Sequence, residues 1–444
     1  MSGGNREFHL QPADRVHGRI TVPGDKSISH RAVMFGALAR GTTRVSGFLP
    51  GADTLATAQI LRDLGVAIER TGETDLLIEG VGLHGLRGAA HPLDCGNAGT
   101  AMRLLAGLLA GQRFASTLVG DESLSRRPMR RVMDPLRLMG ARIASTEAGT
   151  APLLIEPSDG LRGIDYTCPV ASAQIKSCVL LAGLYASGET AVTEPAATRD
   201  YTERMLAALG ADVVVEGLTV RLRPGRELAA QPIAVPGDFS SAAFFLVAGA
   251  IARSGEVVIE NVGLNPRRTG LLDTLLDMGA DIEILDRRDI AGEPVGNLRV
   301  RPSSLRAVDV PLARVPDMID EFPAFAIAAA CAAGTSRVRG AHELRVKESD
   351  RIAAMARGLA AIGVDVEEFE DGMAIEGREQ LGGGRIDSRG DHRIAMSFAV
   401  ASLRAREAIR IDDCANVDTS FPGFATLASR IGLGIRVRDG EAQA

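Results

Sequence analysis

Tryptophan is absent from these 444 residues, and aromatic side chains make up only 4% of them. Proteins that stack on bases lean on aromatic rings. The shortage therefore argues against nucleic acid as a partner, and it leaves alanine, leucine, isoleucine and valine to build the core. The net charge is −6, so no global field draws polyanions and any anion site has to be local. The five cysteines, Cys95, Cys168, Cys178, Cys331 and Cys414, form no CxxC pair. That suits a reducing cytoplasm better than a disulfide scaffold or a zinc site. No group of histidines and cysteines has ligand spacing, so no metal is expected, and neither GxSxG nor a Walker GK[ST] occurs. The opening MSGGNREFHLQPADRV lacks the apolar segment of a secretory leader, and none is expected. The apolar stretch Phe239–Ala252 is too short to span a bilayer, so no membrane partner is expected either.

What the chain does have is repetition. Its length suggests two or three domains. A helical pattern ending in glycine, followed by a short alternating strand, occurs six times: ILRDLGVAIER, PLRLMGARIAS, MLAALGADVVV, TLLDMGADIEI, GLAAIGVDVEE and TLASRIGLGIRV. The glycines are Gly65, Gly140, Gly210, Gly279, Gly363 and Gly432, spaced 69 to 84 residues apart. Each stands where a helix C-terminus needs a left-handed residue. A small-residue helix, a turn and a strand precede each copy, as in ALARGTTRVSGF and AIARSGEVVIENV. Any α/β protein contains some such segments, but six ordered pairs at near-constant spacing read as a repeat. The tetrapeptide VPGD at Val22–Asp25 returns at Val235–Asp238, about three repeats later. The expectation is an α/β protein of two lobes with three repeats each. One lobe is inserted in the other: residues 25–238 inside a discontinuous lobe of 1–24 plus 239–444. Three repeats about a pseudo-threefold axis would aim their helix N-termini the same way. Since such ends carry partial positive charge and free N–H groups, a cleft between the lobes would attract anions.

The unusual residues sit where those helices begin. PGDKSISHR places Lys26 and Arg31 near a helix start, with Ser27 as a good N-cap. Two cations there suit phosphate or carboxylate, although a capped surface helix with solvated charges would look the same. In DCGNAGTAMR, Gly96 and Gly99 bracket Asn97 and Ala98, with Thr100 and Arg103 following. Small residues let a ligand approach the backbone, and a tight turn before a buried helix would also use them. Arg126, Arg127, Arg130 and Arg131 form a charge run, usually a solvated face. Pro128 breaks the run and fixes the pair before it, which can aim one arginine inward. VASAQIKS offers Ser172 and Gln174 as neutral donors for hydroxyls or phosphate oxygens. The second half supplies carboxylates beside cations: Asp320 and Glu321 in MIDEFP, Lys347, Glu348 and Arg351 in ELRVKESDR, and Arg393 behind Asp391 and His392 in RGDHRIAM. Cations for acidic groups together with carboxylates for proton transfer point to an enzyme.

As a set and in this order, GDKSISHR, GNAGTAMR, RPM, SAQIKS, ELRVKESDR and DHRIAM resemble the signatures of the 5-enolpyruvylshikimate-3-phosphate (EPSP) synthase family across the whole chain. The resemblance implies the enolpyruvyl transferase fold, an inside-out α/β barrel in each of two lobes with the active site in the cleft between them. It implies transfer of the enolpyruvyl group of phosphoenolpyruvate to the 5-hydroxyl of shikimate 3-phosphate, in the pathway to chorismate and the aromatic amino acids. No cofactor is implied, and the protein would be a cytoplasmic monomer. By position, Lys26 is similar to the residue touching both substrates. Ser27, Arg31, Ser172, Ala173, Gln174, Arg199, Asp320 and Lys347 resemble the shikimate 3-phosphate site. Asn97, Gly99, Thr100, Arg127, Gln174, Arg351 and Arg393 resemble the phosphoenolpyruvate side. Asp320 would take the hydroxyl proton, and either Lys26 or Glu348 would protonate the methylene. Ala173 stands where many relatives have a second serine, and Thr419 where many have lysine. These departures imply one hydroxyl fewer on the sugar phosphate and one cation fewer near phosphoenolpyruvate. Both fit a divergent bacterial subgroup that tolerates the competitive inhibitor glyphosate, yet the chain keeps Gly99 where tolerant relatives often carry alanine. Two alternatives are a related transferase acting on UDP-N-acetylglucosamine, which lacks GDKSISHR and DHRIAM, and a non-catalytic sugar-phosphate binder, which need not keep Asp320 and Glu348.

Overall fold

The computed structural model describes residues 6–290 and 292–439, so the first five residues of the polar opening lie outside it. All six repeat glycines end a helix, and all six have left-handed backbones, with φ between 80° and 119°. A strand follows each one, from Ala67–Arg70 after Gly65 to Gly434–Asp439 after Gly432. A side chain would be strained there, which is why the same residue recurs at the same joint.

The six small-residue segments are the central helices: α1 (Lys26–Leu38), α2 (Gly99–Ala110), α3 (Ala173–Gly183), α4 (Phe239–Ile251), α5 (Phe322–Ala330) and α6 (His392–Ala401). They are apolar almost all round, and α4 and α5 are buried at every position, as expected of helices that pack on all sides. Each repeat has a small sheet beside its helix, mixed in most repeats and antiparallel in the one of Thr335–Val338, Gly372–Glu376 and Val366–Phe369. In the second repeat, strand Leu93–Asp94 runs parallel to Ser116–Val119, which pairs antiparallel with Leu153–Ile155, and that strand pairs with Ile143–Ala144. The third repeat copies this order with Asp165–Thr167, Thr190–Thr193, Thr219–Arg223 and Asp212–Glu216.

The chain divides into two compact units, Gly24–Val235 on one hand and the residues up to Pro23 and from Pro236 on the other. Each has its own apolar core. The chain passes from one to the other within the two VPGD copies. The aspartates of these copies start the first helix of each unit. Asp25 accepts a bond from the Ile28 N–H at 2.9 Å, and Asp238 accepts one from the Ser240 N–H at 3.0 Å. This corrects the sequence expectation for Ser27. The helix already includes Lys26, so Ser27 lies in its first turn and Asp25 is the N-cap. In the discontinuous unit, Arg6–Gln11 lies between Ile409–Asp412 and Gly434–Asp439, antiparallel to both. Strand Arg15–Thr21 runs parallel to Ser254–Gly263.

Helices α2 and α3, which carry much of the motif chemistry, touch backbone to backbone at Gly107. A Cβ added there would lie 2.1 Å from the Cys178 carbonyl oxygen. Neither backbone can yield locally, so Gly107→Ala is expected to destabilise the continuous unit by about 1–3 kcal/mol, the usual cost of overpacking. Urea denaturation would register this as a lower midpoint, and an unchanged midpoint would show that the contact can open without cost.

Candidate active site

In the unit Gly24–Val235 the motif residues collect at the N-terminal ends of α1, α2 and α3. Lys26 opens α1 and forms an ion pair with Asp53, which is buried. Arg31, one turn further along α1, is buried and fully engaged. Its Nε donates to Thr202 Oγ1 at 2.8 Å, its Nη2 to Ser177 Oγ at 2.8 Å, and its Nη1 to the Ser27 carbonyl at 3.0 Å. Burial pulls its pKa down to about 10, against the favourable charges of Glu203 and Asp25. Arg199, half-buried, is close enough for its charge to add to that depression.

The second cluster surrounds the start of α2. Gly96 takes a left-handed turn, with φ of 53°. Asn97 bridges two residues: its amide donates to Asp121 at 2.7 Å, and its carbonyl oxygen accepts from Arg127 Nη2 at 2.7 Å. Within the arginine run, Arg127 is the inward one, whereas Arg126 and Arg130 are exposed. Thr100 accepts from Gln174 Nε2 at 3.1 Å, and Arg103 Nη1 donates to Gln174 Oε1 at 2.8 Å. Gln174 of α3 is thus held by two groups of α2. Gly99 lies between two guanidiniums, since a Cβ built on it would sit 3.1 Å from both Arg103 Nη1 and Arg127 Nη1. Ser172 occupies the N-cap position of α3 but makes no capping bond with its side chain, and Ala173 is the first helical residue.

The other unit holds Asp320, Lys347, Glu348, Arg351 and Arg393 together. One oxygen of Asp320 lies 3.4 Å from Lys347 Nζ and 3.5 Å from Arg351 Nη1, and the other lies 3.9 Å from Arg268 Nη1. Arg393 Nη1 donates to the Asp320 carbonyl at 3.1 Å. Arg351 is 1% exposed. It donates to Glu348 at 2.6 Å and to Asp391 at 2.8 Å. Burial opposes its charge, but Asp391, Glu348 and Asp320 outweigh burial and raise its pKa. Asp391 caps α6 by accepting from the Arg393 N–H at 2.9 Å. Its burial would raise its pKa, but Arg351 prevails and holds it below the ordinary value. Thr419 turns its hydroxyl back to the Asn416 carbonyl at 2.7 Å. The described residues contain no group of histidine, cysteine and carboxylate side chains that could hold a metal ion.

Two partners, Asp53 and Arg268, are not marked by any motif, and the pairing of Arg103 with Gln174 is not readable from spacing. Asp53 sits in an ordinary helix start, PGADT. Arg103 ends the glycine motif DCGNAGTAMR, 71 residues before its partner Gln174. Arg268, in NPRRTG, is buried and donates to Asp238 Oδ1 at 2.9 Å and to Ser240 Oγ at 2.6 Å. Only its burial gives it away, and burial is not visible in spacing.

Six α/β repeats divided three and three, with cations at helix starts in one unit and carboxylates among cations in the other, define the class of enolpyruvyl transferases. The family model described as EPSP synthase (3-phosphoshikimate 1-carboxyvinyltransferase) matches residues 10–427, and the chain belongs to that family. It is 58% identical over 438 residues to the 3-phosphoshikimate 1-carboxyvinyltransferase of Alkalilimnicola ehrlichii, covering 99% of this chain and 98% of that protein. The enzyme of the same name from Methylococcus capsulatus is 59% identical over 430 residues, covering 97% and 98%. Among solved structures, an EPSP synthase from Acinetobacter baumannii superposes with a TM-score of 0.88 at 51% identity, over 98% of this chain and 100% of the other.

The charge balance around Arg351 can be tested by removing it. Arg351→Gln leaves Asp391 buried without its counter-ion and is expected to cost about 3–5 kcal/mol. Arg393→Gln, at a more open position, should cost much less. Because the folded pKa of Asp391 is depressed, its contribution is present above the unfolded carboxylate pKa and is lost as pH falls through the folded one. Denaturation curves at neutral and acid pH would show the wild type converging toward the Arg351 variant as the pH drops. A constant gap would refute the assignment.

Proposed function

We propose that this chain transfers the enolpyruvyl group of phosphoenolpyruvate to the 5-hydroxyl of shikimate 3-phosphate, releasing phosphate by addition and elimination. The observation that carries the mechanism is the setting of Asp320, a carboxylate facing Lys347, Arg351 and Arg268. A mere binder of sugar phosphates has no need for a carboxylate among the cations, whereas a reaction that removes a hydroxyl proton does. In this reading Asp320 accepts that proton as the oxygen adds to C2 of phosphoenolpyruvate. Glu348 or Lys26 delivers one to C3, and the tetrahedral adduct then gives a C3 proton back to that group as its C2–O bond to phosphate breaks, restoring the double bond and releasing phosphate. Arg31, Arg199, Ser27, Ser172, Gln174 and Lys347 receive the sugar phosphate. Asn97, Gly99, Thr100, Arg127, Arg351 and Arg393 receive phosphoenolpyruvate, Lys26 and Gln174 serve both substrates, and Arg103 joins the phosphoenolpyruvate side through its bond to Gln174.

The same reading makes the protein a cytoplasmic monomer. Its five cysteines are all unbridged, in keeping with a reducing compartment. Among the described residues no helix is long and apolar enough to cross a membrane.

Mixing the protein with both substrates and following phosphate release tests the activity itself. Asp320→Ala is expected to lower turnover by about 10²–10⁴-fold, the usual contribution of a general base, with much smaller changes in the Michaelis constants. If only the Michaelis constants move, Asp320 is a binding group. Gly99 gives a second test. A methyl group there presses on both Arg103 and Arg127, whose ends must give way by a few tenths of an ångström. The longer inhibitor glyphosate leaves less slack than phosphoenolpyruvate. Gly99→Ala is therefore expected to weaken glyphosate by about 5- to 150-fold, from an overpacking cost of about 1–3 kcal/mol, and phosphoenolpyruvate by less. Equal shifts in competition assays would place inhibitor tolerance elsewhere.

A further inference from the structure

Within the unit Gly24–Val235 lies a charged cluster that the reaction above does not use. Lys176, the fourth residue of α3, is buried, and its Nζ lies 2.7 Å from Glu194 Oε2 and 2.7 Å from Glu203 Oε1. Both carboxylates are buried as deeply as the lysine. Taking three ions out of water costs several kcal/mol for each, and apolar replacements of such clusters are often neutral or stabilising. Stability alone does not account for it.

What the cluster connects is more telling. Lys176 shares α3 with Gln174 and Ser177, and Ser172 stands at the N-cap of that helix. Glu194 Oε1 accepts from Thr198 Oγ1 at 2.5 Å, one residue before Arg199. Glu203 follows Thr202, whose hydroxyl accepts from Arg31 and donates to Ser177 at 2.7 Å. Tyr201, in the same helix turn, donates to Asp25, the cap of α1, at 3.1 Å. One ammonium group therefore ties together three segments, and each ends at a residue read above as holding the sugar phosphate or its arginines. Glu203 also adds to the field that keeps Arg31 charged against its burial.

We propose that Lys176 is a positioning residue: through Glu194 and Glu203 it fixes Arg199, Thr202 and the start of α3 in the arrangement that receives the sugar phosphate. The proposal rests on the reading of that site given above. Lys176→Met keeps the aliphatic stem and removes the ammonium. In the full-length protein the variant should bind shikimate 3-phosphate about tenfold more weakly, within the range of couplings inside one network. Turnover and the Michaelis constant for phosphoenolpyruvate should stay within about twofold, as for independent sites. A second variant, Lys176→Met with Glu203→Gln, keeps the net charge of the cluster and separates position from stability. Its thermal midpoint should recover toward wild type while shikimate 3-phosphate binding, measured by calorimetry, stays weak. Recovery of binding together with the midpoint would overturn the proposal, and so would an equal rise of both Michaelis constants in the single variant. Wild-type binding and phosphate release measured alongside test the functional reading separately.

Discussion

A helix buried along its whole length can carry charge only near an end. The six central helices obey this constraint: every charged residue in them, from Lys26 and Arg31 in α1 to Arg393 in α6, lies within the first six positions. The rest of each helix faces an interior in which an ion would be costly. The cations are therefore crowded at helix N-termini, where the macrodipole disfavours them. Their partners follow from that conflict. Lys26 has Asp53, Lys176 has Glu194 and Glu203, and Arg351, at the start of its own helix, has Asp391 and Glu348.

The two units use this frame differently. In the continuous unit the lysines Lys26 and Lys176 meet carboxylates, whereas several arginines are joined to neutral groups, with Arg103 on Gln174, Arg127 on Asn97, and Arg31 on Thr202 and Ser177. Those bonds fix the direction of each guanidinium. In the discontinuous unit Arg351 is set directly against carboxylates. The first arrangement suits holding anions, and the second suits a group that has to exchange a proton while remaining among charges.

The fold was legible in the sequence because its signals are local. A left-handed glycine after a helix is needed by the backbone of that turn alone, and so Gly65 through Gly432 could be read as one series. Asp25 was missed as a cap because Ser27 is also a good capping residue, and only the position of the first helical turn decides between them. Motif residues such as Gln174, Arg127, Asn97, Thr100 and Arg103 could be named in advance, but which of them pair could not. Asp53, Arg103 and Arg268 act through pairings whose members stand 27 to 71 residues apart. Spacing within a segment carries no information about a contact that only the packing of repeats creates.

The sheet that holds Arg6–Gln11 between Ile409–Asp412 and Gly434–Asp439 sets an order of events during synthesis. Residues 24–235 leave the ribosome as one uninterrupted stretch and can close their core while the rest of the chain is still being made. The strands before them cannot. Arg15–Thr21 has no partner until Ser254–Gly263 has emerged, and Arg6–Gln11 waits for Ile409–Asp412 and Gly434–Asp439. Until then the nascent chain carries two unpaired strands whose edges are open to other chains, and a finished unit stands between them and their partners.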